Sequence, residues 1–109
     1  MKINSYGNEY DLHFVRSEYA NNGSLYVGAI CSDGEPFCDV TVNLDESQYI
    51  RNPKAAYLDT NNSANVISEM IEEGYVVIDE TDGAESGFCY YPLGVFTDKF
   101  FEEERYGAD

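Results

Sequence analysis

Alternating apolar and polar residues predict a strand near the beginning of the chain. Within Glu9–Val15 every second residue is apolar, and these residues are Tyr10, Leu12 and Phe14. A period of two places them on one face of a half-buried strand. The next residues, Ser17–Gly23, are polar and include an Asn-Gly pair suited to positive φ, so a turn is predicted there.

A second pattern predicts a β-hairpin around Asp33–Gly34, a residue pair favoured in two-residue turns. This turn fixes which residues lie opposite each other. One face then contains the pairs Ala29–Cys38, Val27–Val40 and Leu25–Val42. The other face contains Ile30–Phe37, Gly28–Asp39 and Tyr26–Thr41. Because this register gathers small apolar residues on a single side, it is the pairing that burial would select.

Helical periodicity follows a run of capping residues at positions 60–63. Val66, Ile67, Met70 and Ile71 form an apolar stripe, and Gly74 suits a left-handed helix end. The sequence therefore predicts a principal helix at about Ser63–Glu73. A possible short C-terminal helix begins at Thr97 or Asp98, with Glu102 and Glu103 near its positive end.

The remaining segments complete an α+β domain that spans residues 1–109. Short strands are predicted at Ala55–Leu58 and Tyr75–Ile78, and loops at Leu44–Lys54 and Thr81–Gly87. Phe88–Phe96 is apolar but contains Pro92 and Gly94, which favour a bent or edge strand. The predicted fold class is α+β, with one antiparallel β-meander sheet and one principal helix.

Composition supports a folded chain in a reducing compartment. Ten Tyr and six Phe are the opposite of a disordered composition. No apolar run approaches the ~20 residues that span a bilayer, and residues 1–5 lack the pattern of a signal peptide. We therefore expect a cytoplasmic monomer without membrane contact. The three cysteines lack C-x-x-C spacing, and the hairpin register places Cys31 and Cys38 roughly 7–8 Å apart, so free thiols are predicted.

Charge is the feature most informative about function. The chain has 6 Lys+Arg against 21 Asp+Glu, a formal net charge of −15, beyond the magnitude of about 2–8 that solubility requires in a small domain. No base occurs from Ala55 to Asp98. Such a surface repels nucleic acid and anionic membranes and attracts basic proteins. Generic solubility or adaptation to a salty environment is the alternative explanation.

Seven acids concentrated in this stretch form the predicted partner-binding surface. They are Glu69, Glu72, Glu73, Asp79, Glu80, Asp82 and Glu85. Two of them, Glu72 and Glu73, occupy the last helical turn, where the helix dipole favours cations instead. A residue that contradicts a local preference is often functional, although a solvated polar face tolerates the cost.

No pattern in the sequence predicts catalysis, a cofactor or a metal. His13 is the only histidine and lies within no nucleophile motif. Ile78–Cys89 resembles a calcium loop, but neither its first nor its last residue supplies an oxygen ligand. The chain is therefore predicted to be non-enzymatic and to use no cofactor.

Three segments resemble one family when taken together. They are Y-G-N-E-Y-D-L at 6–12, L-D-T-N-N at 58–62 and S-G-F-C-Y-Y-P-L-G-V-F at 86–96. They resemble an uncharacterised family of small acidic proteins of bacterial conjugative elements and phages, and this resemblance implies an α+β domain. In size and charge the chain is also similar to DNA-mimic anti-CRISPR proteins that act on type I Cascade complexes.

That likeness leads to the functional expectation. The chain would inhibit a basic nucleic-acid-binding protein, such as a Cascade subunit, by imitating DNA charge, and it would not bind nucleic acid directly. The alternative is an acidic accessory or immunity protein that binds a basic protein partner.

Overall fold

The computed structural model describes residues 1–44 and 50–103, and the backbone of residues 105–106. Strands dominate, and two short helices accompany them. The strands are β1 (Lys2–Ser5), β2 (Asn8–Glu18), β3 (Leu25–Cys31), β4 (Pro36–Asp39), β5 (Thr41–Val42), β6 (Ala55–Leu58), β7 (Val76–Ser86), β8 (Cys89–Phe96) and β9 (Arg105–Tyr106). The helices are α1 (Ala64–Glu72) and α2 (Asp98–Glu103). The predicted loop at Leu44–Lys54 lies partly outside the described residues.

The first sheet has the strand order β1-β2-β3-β4, and β9 runs parallel to β2 at its edge. The predicted alternation in β2 is confirmed, since Leu12 and Phe14 are buried and Tyr10 is partly buried. This part of the chain is a meander, as predicted. The expectation of one meander sheet for the whole domain is wrong, because a second sheet is present.

The predicted β3–β4 register is confirmed away from the turn and wrong beside it. Gly28 pairs with Asp39 and Ala29 with Cys38, but a bulge then shifts Ile30 to Pro36 instead of Phe37. The turn contains three residues, Ser32–Gly34, and Gly34 has a φ of +94°. A type I turn followed by a left-handed glycine is the standard three-residue hairpin loop.

The second sheet has the order β5-β6-β8-β7. The chain crosses into it at Val40, whose N–H donates to Val27 O at 2.9 Å, while its carbonyl accepts from the N–H of Asp59, also at 2.9 Å. β5 therefore pairs with β6, and the predicted pairs of Leu25 with Val42 and of Tyr26 with Thr41 are wrong. A helix separates β6 from β7 in the chain, so this sheet is not a meander.

The β7–β8 hairpin corrects two further predictions. β7 continues through Ser86, so the expected loop at Thr81–Gly87 is mostly strand. β8 lies between β6 and β7, so of the two predicted alternatives, a bent strand or an edge strand, the edge strand is wrong. A bulge resolves the conflict: Asp79 pairs with Leu93 and Gly83 with Pro92, which leaves three residues of β7 opposite no residue of β8.

One main core lies between the two sheets and the helices. Val66, Ile67 and Met70 of α1 are buried in it, which confirms the predicted principal helix within one residue at each end. The fourth residue of the predicted apolar stripe, Ile71, is 41% exposed. α2 buries Phe100, and its first turn is capped where Thr97 Oγ1 accepts the N–H of Phe100 at 3.4 Å. Glu102 and Glu103 lie at the C-terminal end of α2, contrary to expectation.

A smaller apolar cluster lies on the opposite face of the second sheet. Its buried members are Ala55, Tyr57, Ala84 and Leu93. Because successive residues of a strand face opposite sides, the sheet separates two environments. The main core and α1 occupy one side, and the smaller cluster occupies the other.

Candidate functional site

Three of the seven predicted acids project from the last turns of α1. Glu72 and Glu73 are exposed and Glu69 is partly exposed, since the other side of this helix is buried. Partial desolvation, a side-chain hydrogen bond with Glu72 and the charges of Glu72 and Glu73 raise the pKa of Glu69. Desolvation is the largest of these causes, and the neighbouring carboxylates act in the same direction, since like charges disfavour the ionised form.

A base from another element compensates the negative charge at the C-terminal end of α1, where these acids lie. Lys99 of α2 places its Nζ 2.7 Å from the carbonyl oxygen of Glu73 and 4.5 Å from the centre of the Tyr75 ring. A cation that binds the last carbonyls of a helix compensates its negative end. The unfavourable placement seen in the sequence is therefore partly balanced by a base 26 residues away.

Three more acids lie at the β7 bulge. Asp79 Oδ1 accepts hydrogen bonds from the Thr81 hydroxyl at 2.7 Å and the Thr81 N–H at 3.1 Å, and these bonds lower the pKa of Asp79. Glu80 and Asp82 are exposed in the bulge itself. Asp79 and Asp82 border one groove of about 390 Å³, which Arg51 also lines.

The seventh acid, Glu85, lies close to the end of the β7–β8 hairpin. It pairs with Tyr90 across the hairpin and is exposed. The distal part of this hairpin consists of Gly83–Ser86 and Cys89–Pro92. β6 pairs only with Leu93–Val95 of β8 among the described residues, so the distal part is a two-stranded ribbon.

The structure does not gather the seven acids on one face. Val76 and Ile78 of β7 face the main core, on the side where α1 carries its three acids. Asp79 shares the opposite side of the sheet with Val77, Tyr57 and Leu93. The predicted surface is thus a band that passes around the edge strand β7, from the end of α1 to the hairpin tip.

Three bases, Arg16, Lys54 and Lys99, cluster around α2, and Arg51 lines the groove beside Asp79 and Asp82. The guanidinium of Arg16 lies 5.4 Å and the Lys54 ammonium 5.6 Å from the centre of the Phe101 ring. Lys54 also pairs with Asp98 at 3.1 Å. Within the described residues the other ion pair joins the N-terminal amine to Asp11 at 3.6 Å. None of the seven acids is paired with a base in this part of the chain.

Two exposed aromatic residues were missed by the sequence analysis as a feature of the surface. Tyr6 and Phe88 are 102% and 109% exposed, and each occupies the apex of a two-residue hairpin turn. Tyr6 and Gly7 both have positive φ, as a type I′ turn requires. Gly87 has a φ of +62° and Phe88 a negative one, as in a type II′ turn. A glycine in each turn was the sequence signal that could have located these apices: Gly7 follows Tyr6, and Gly87 precedes Phe88.

No group of three His, Cys, Asp or Glu side chains within the described residues could hold a metal ion. The cysteines Cys31, Cys38 and Cys89 are all free. None of the helices within residues 1–44, 50–103 and 105–106 is long and apolar enough to cross a membrane.

Residues 14–108 match the model of a protein family described as a domain of unknown function, DUF4313. No curated protein and no solved structure matched the chain. The match covers all elements from the middle of β2 onward.

Proposed function

The chain belongs to the DUF4313 family, and we propose that it is a non-enzymatic binding protein whose acidic band docks on a basic, nucleic-acid-binding protein. The observation that supports this proposal is the band of unpaired acids around β7. Its carboxylates run from the end of α1 to the β7–β8 hairpin without a base partner in the described residues.

Charge segregation is costly, which is why it supports binding rather than solubility alone. Like charges held together weaken the compact state, and interspersed bases would give the same solubility at a lower cost. Here Arg16, Lys54 and Lys99 contact aromatic rings and a backbone carbonyl near α2. Arg51 lines the groove beside Asp79 and Asp82, but no ion pair between described residues involves an acid of the band. These carboxylates are therefore available to a basic surface.

A partner that binds nucleic acid fits this band best. Such proteins present Lys and Arg at positions that neutralise phosphates, and a curved row of carboxylates can replace several phosphates at once. Binding of this kind excludes DNA from the same surface. The protein itself does not bind nucleic acid, because its surface repels phosphates, and it acts in the cytoplasm of a bacterial host.

The finer form of the proposal names the target. In size and charge the chain is similar to anti-CRISPR proteins that act on type I Cascade, so a Cascade subunit is the proposed first target. Inhibition would follow from occupation of its positively charged DNA channel.

The test compares two variants with the same change in net charge. In the first, Glu72, Glu80 and Glu85 of the band become Lys. In the second, the exposed acids Glu9, Glu18 and Glu35, which lie outside the band, become Lys. We expect the first variant to lose binding to a purified type I Cascade complex in a DNA-competition gel shift, and the second to retain most of it.

Salt dependence and folding provide the controls for this comparison. Binding of the wild type should weaken steeply with salt, since charges on exposed surfaces are screened within about 8 Å at physiological ionic strength. Circular dichroism and thermal melting should show both variants folded. Equal binding by both variants, or a ternary complex that retains DNA, contradicts the proposal.

The second candidate function is an accessory or immunity protein for a basic partner that need not bind nucleic acid. The exposed aromatic apex at Phe88 favours it, because phosphate imitation alone has no use for an exposed apolar ring. Affinity capture from a bacterial lysate, with the two charge variants as controls, separates these cases. Captured nucleic-acid-binding proteins favour the first function, and a basic protein without nucleic-acid affinity favours the second.

A further inference from the structure

The tip of the β7–β8 hairpin combines an apolar side chain with an acidic surround. Phe88 is fully exposed and Tyr90 is 52% exposed, and Glu85 lies beside both in a shallow surface groove. Single exposed apolar residues are common on protein surfaces. Phe88 differs from that case because its position is fixed by several features of the ribbon that carries it.

The ribbon is held in one conformation by local packing. The tight turn at Gly87–Phe88 leaves the apex little freedom. Tyr90 lies over Gly83, where a Cβ atom would collide with its ring, and its hydroxyl donates to the carbonyl of Asp82 at 3.5 Å. Ala84 anchors the ribbon in the smaller apolar cluster. Phe88 is therefore presented in advance of binding, which lowers the entropy cost of a contact.

The negative charge around Phe88 indicates which kind of partner can bind at the hairpin tip. β7 carries Asp79, Glu80, Asp82 and Glu85, and the hairpin contains no base. A second copy of this chain and an anionic membrane are both repelled by such a surface. A basic protein with an apolar pocket is attracted by it, and burying an aromatic residue at the centre of a charged rim is the usual composition of an interface hot spot.

We propose that Phe88 is the apolar anchor of the protein–protein interface, inserted into a pocket of the partner that Lys and Arg side chains surround. This inference rests on the proposed function, since it takes the basic partner from it. The acids of the band accelerate association, whereas Phe88 sets the lifetime of the complex.

The experiment measures association and dissociation rates with the basic partner that the charge-controlled capture identifies. Phe88→Ala is compared with Val77→Ala and Tyr6→Asn. Val77 is 57% exposed on β7 of the same hairpin, and Tyr6 is as exposed as Phe88 but lies on a hairpin that contains Lys2. Asn is favoured in the turn that Tyr6 occupies, so this control keeps the fold.

We expect Phe88→Ala to weaken binding at least about tenfold, mainly by faster dissociation, and to leave the salt dependence unchanged. Val77→Ala and Tyr6→Asn should bind within about twofold of the wild type, the scatter of a near-neutral interface substitution. Photocrosslinking from benzoylphenylalanine at position 88 should label the partner at an apolar pocket next to Lys or Arg, and the same group at position 6 should not.

The outcomes separate this inference from the function on which it rests. If the acid variants lose binding and Phe88→Ala binds like wild type, the anchor is refuted and the proposed function stands. If Phe88→Ala and Tyr6→Asn weaken binding equally, the anchor is also refuted, because any exposed aromatic residue then has the same effect. If no basic partner is captured, both proposals fail.

Discussion

The Tyr75 hydroxyl shows how negative charge affects an individual buried group. Burial, a hydrogen bond with Glu103 and the charges of Glu103 and Glu73 raise its pKa from 10.0 to about 12. Because the pKa is higher in the folded than in the unfolded chain, the stability linked to this group is complete below about pH 10. It is lost as the pH rises through about 12.

We expect Tyr75→Phe to remove one late-titrating phenol from the ultraviolet absorbance titration of the folded protein. The free energy of unfolding of this variant should also fall less steeply between about pH 10 and pH 12 than that of the wild type. Tyr26, whose pKa is likewise raised by burial and by its 2.7 Å hydrogen bond to Asp39, remains as an internal reference. An unchanged number of late-titrating phenols in the variant would show that Tyr75 titrates normally.

Single residues also mark a limit of the sequence analysis. The position of Tyr6 in a type I′ turn was not predictable, because a bulky residue at positive φ is uncommon. Phe88 was counted with its apolar neighbours as part of a strand. Its full exposure depends on where the turn falls, which the apolar run alone does not determine.

At the scale of an element, the crossing of the chain from one sheet to the other depends on Thr41. This residue is 2% exposed, and its Oγ1 accepts the N–H of Val27 at 3.1 Å and lies 3.0 Å from the Tyr19 hydroxyl. Because β5 pairs with β6 in the second sheet, the Val27 N–H has no acceptor from a continued β3–β4 ladder. The Thr41 side chain supplies this hydrogen-bond acceptor instead.

We expect Thr41→Val, which keeps the shape but removes the hydroxyl, to lower the free energy of unfolding by about 1–3 kcal/mol, since it leaves a buried N–H without an acceptor. Thr41→Ser keeps the hydroxyl and loses a methyl group, so it should cost less, about 1 kcal/mol. Urea denaturation of the two variants measures the difference. Equal destabilisation would mean that packing, and not the hydrogen bond, fixes the crossing.

Helices and strands were predictable where burial alone determines the pattern of apolar residues, but not where pairing with distant strands determines it. The apolar spacing in α1 and the alternation in β2 each indicate which face of the element is buried. In contrast, Pro92 and Gly94 indicated a bent or edge strand because neither residue suits a central one. The bulge relieves the conflict, since Pro92 lies where the β7 register shifts, and Gly94 leaves room for the Leu58 side chain. Neither relationship is encoded within the segment itself.

Charge repulsion acts on the whole molecule. With a formal net charge of −15 and few ion pairs between described residues, the folded state concentrates like charges that separate on unfolding. Added salt reduces the range of this repulsion from about 30 Å at 0.01 M to about 10 Å at 0.1 M ionic strength.

We therefore expect the melting temperature to rise when sodium chloride is increased over this range. The variant in which Glu9, Glu18 and Glu35 become Gln carries less negative charge and should show a smaller rise. Differential scanning fluorimetry at constant pH measures both. A melting temperature that is independent of salt in the wild type would show that the acids are too dispersed to destabilise the fold.

Net charge and its concentration after Ala55 were apparent from the sequence, whereas the path of the acidic band was not. Linear order placed seven acids next to one another, but strand alternation and the sheet between them separate Asp79 from Glu72. The compensation of the α1 terminus by Lys99 was also hidden, because the two residues meet only through the packing of α2.

The order of strands in the second sheet has a consequence for how the chain folds during synthesis. β6 and β7 are neighbours of β8 but not of each other, so each keeps an unpaired edge until β8 has left the ribosome. A nascent chain that ends before Cys89 can complete the β1–β4 meander, yet its remaining strands have no central partner. The hairpin that closes the sheet is local in sequence and forms fast, within about 1–10 μs. Until β8 pairs with it, β7 exposes an edge that carries acidic residues, and their charge disfavours the joining of that edge to other chains.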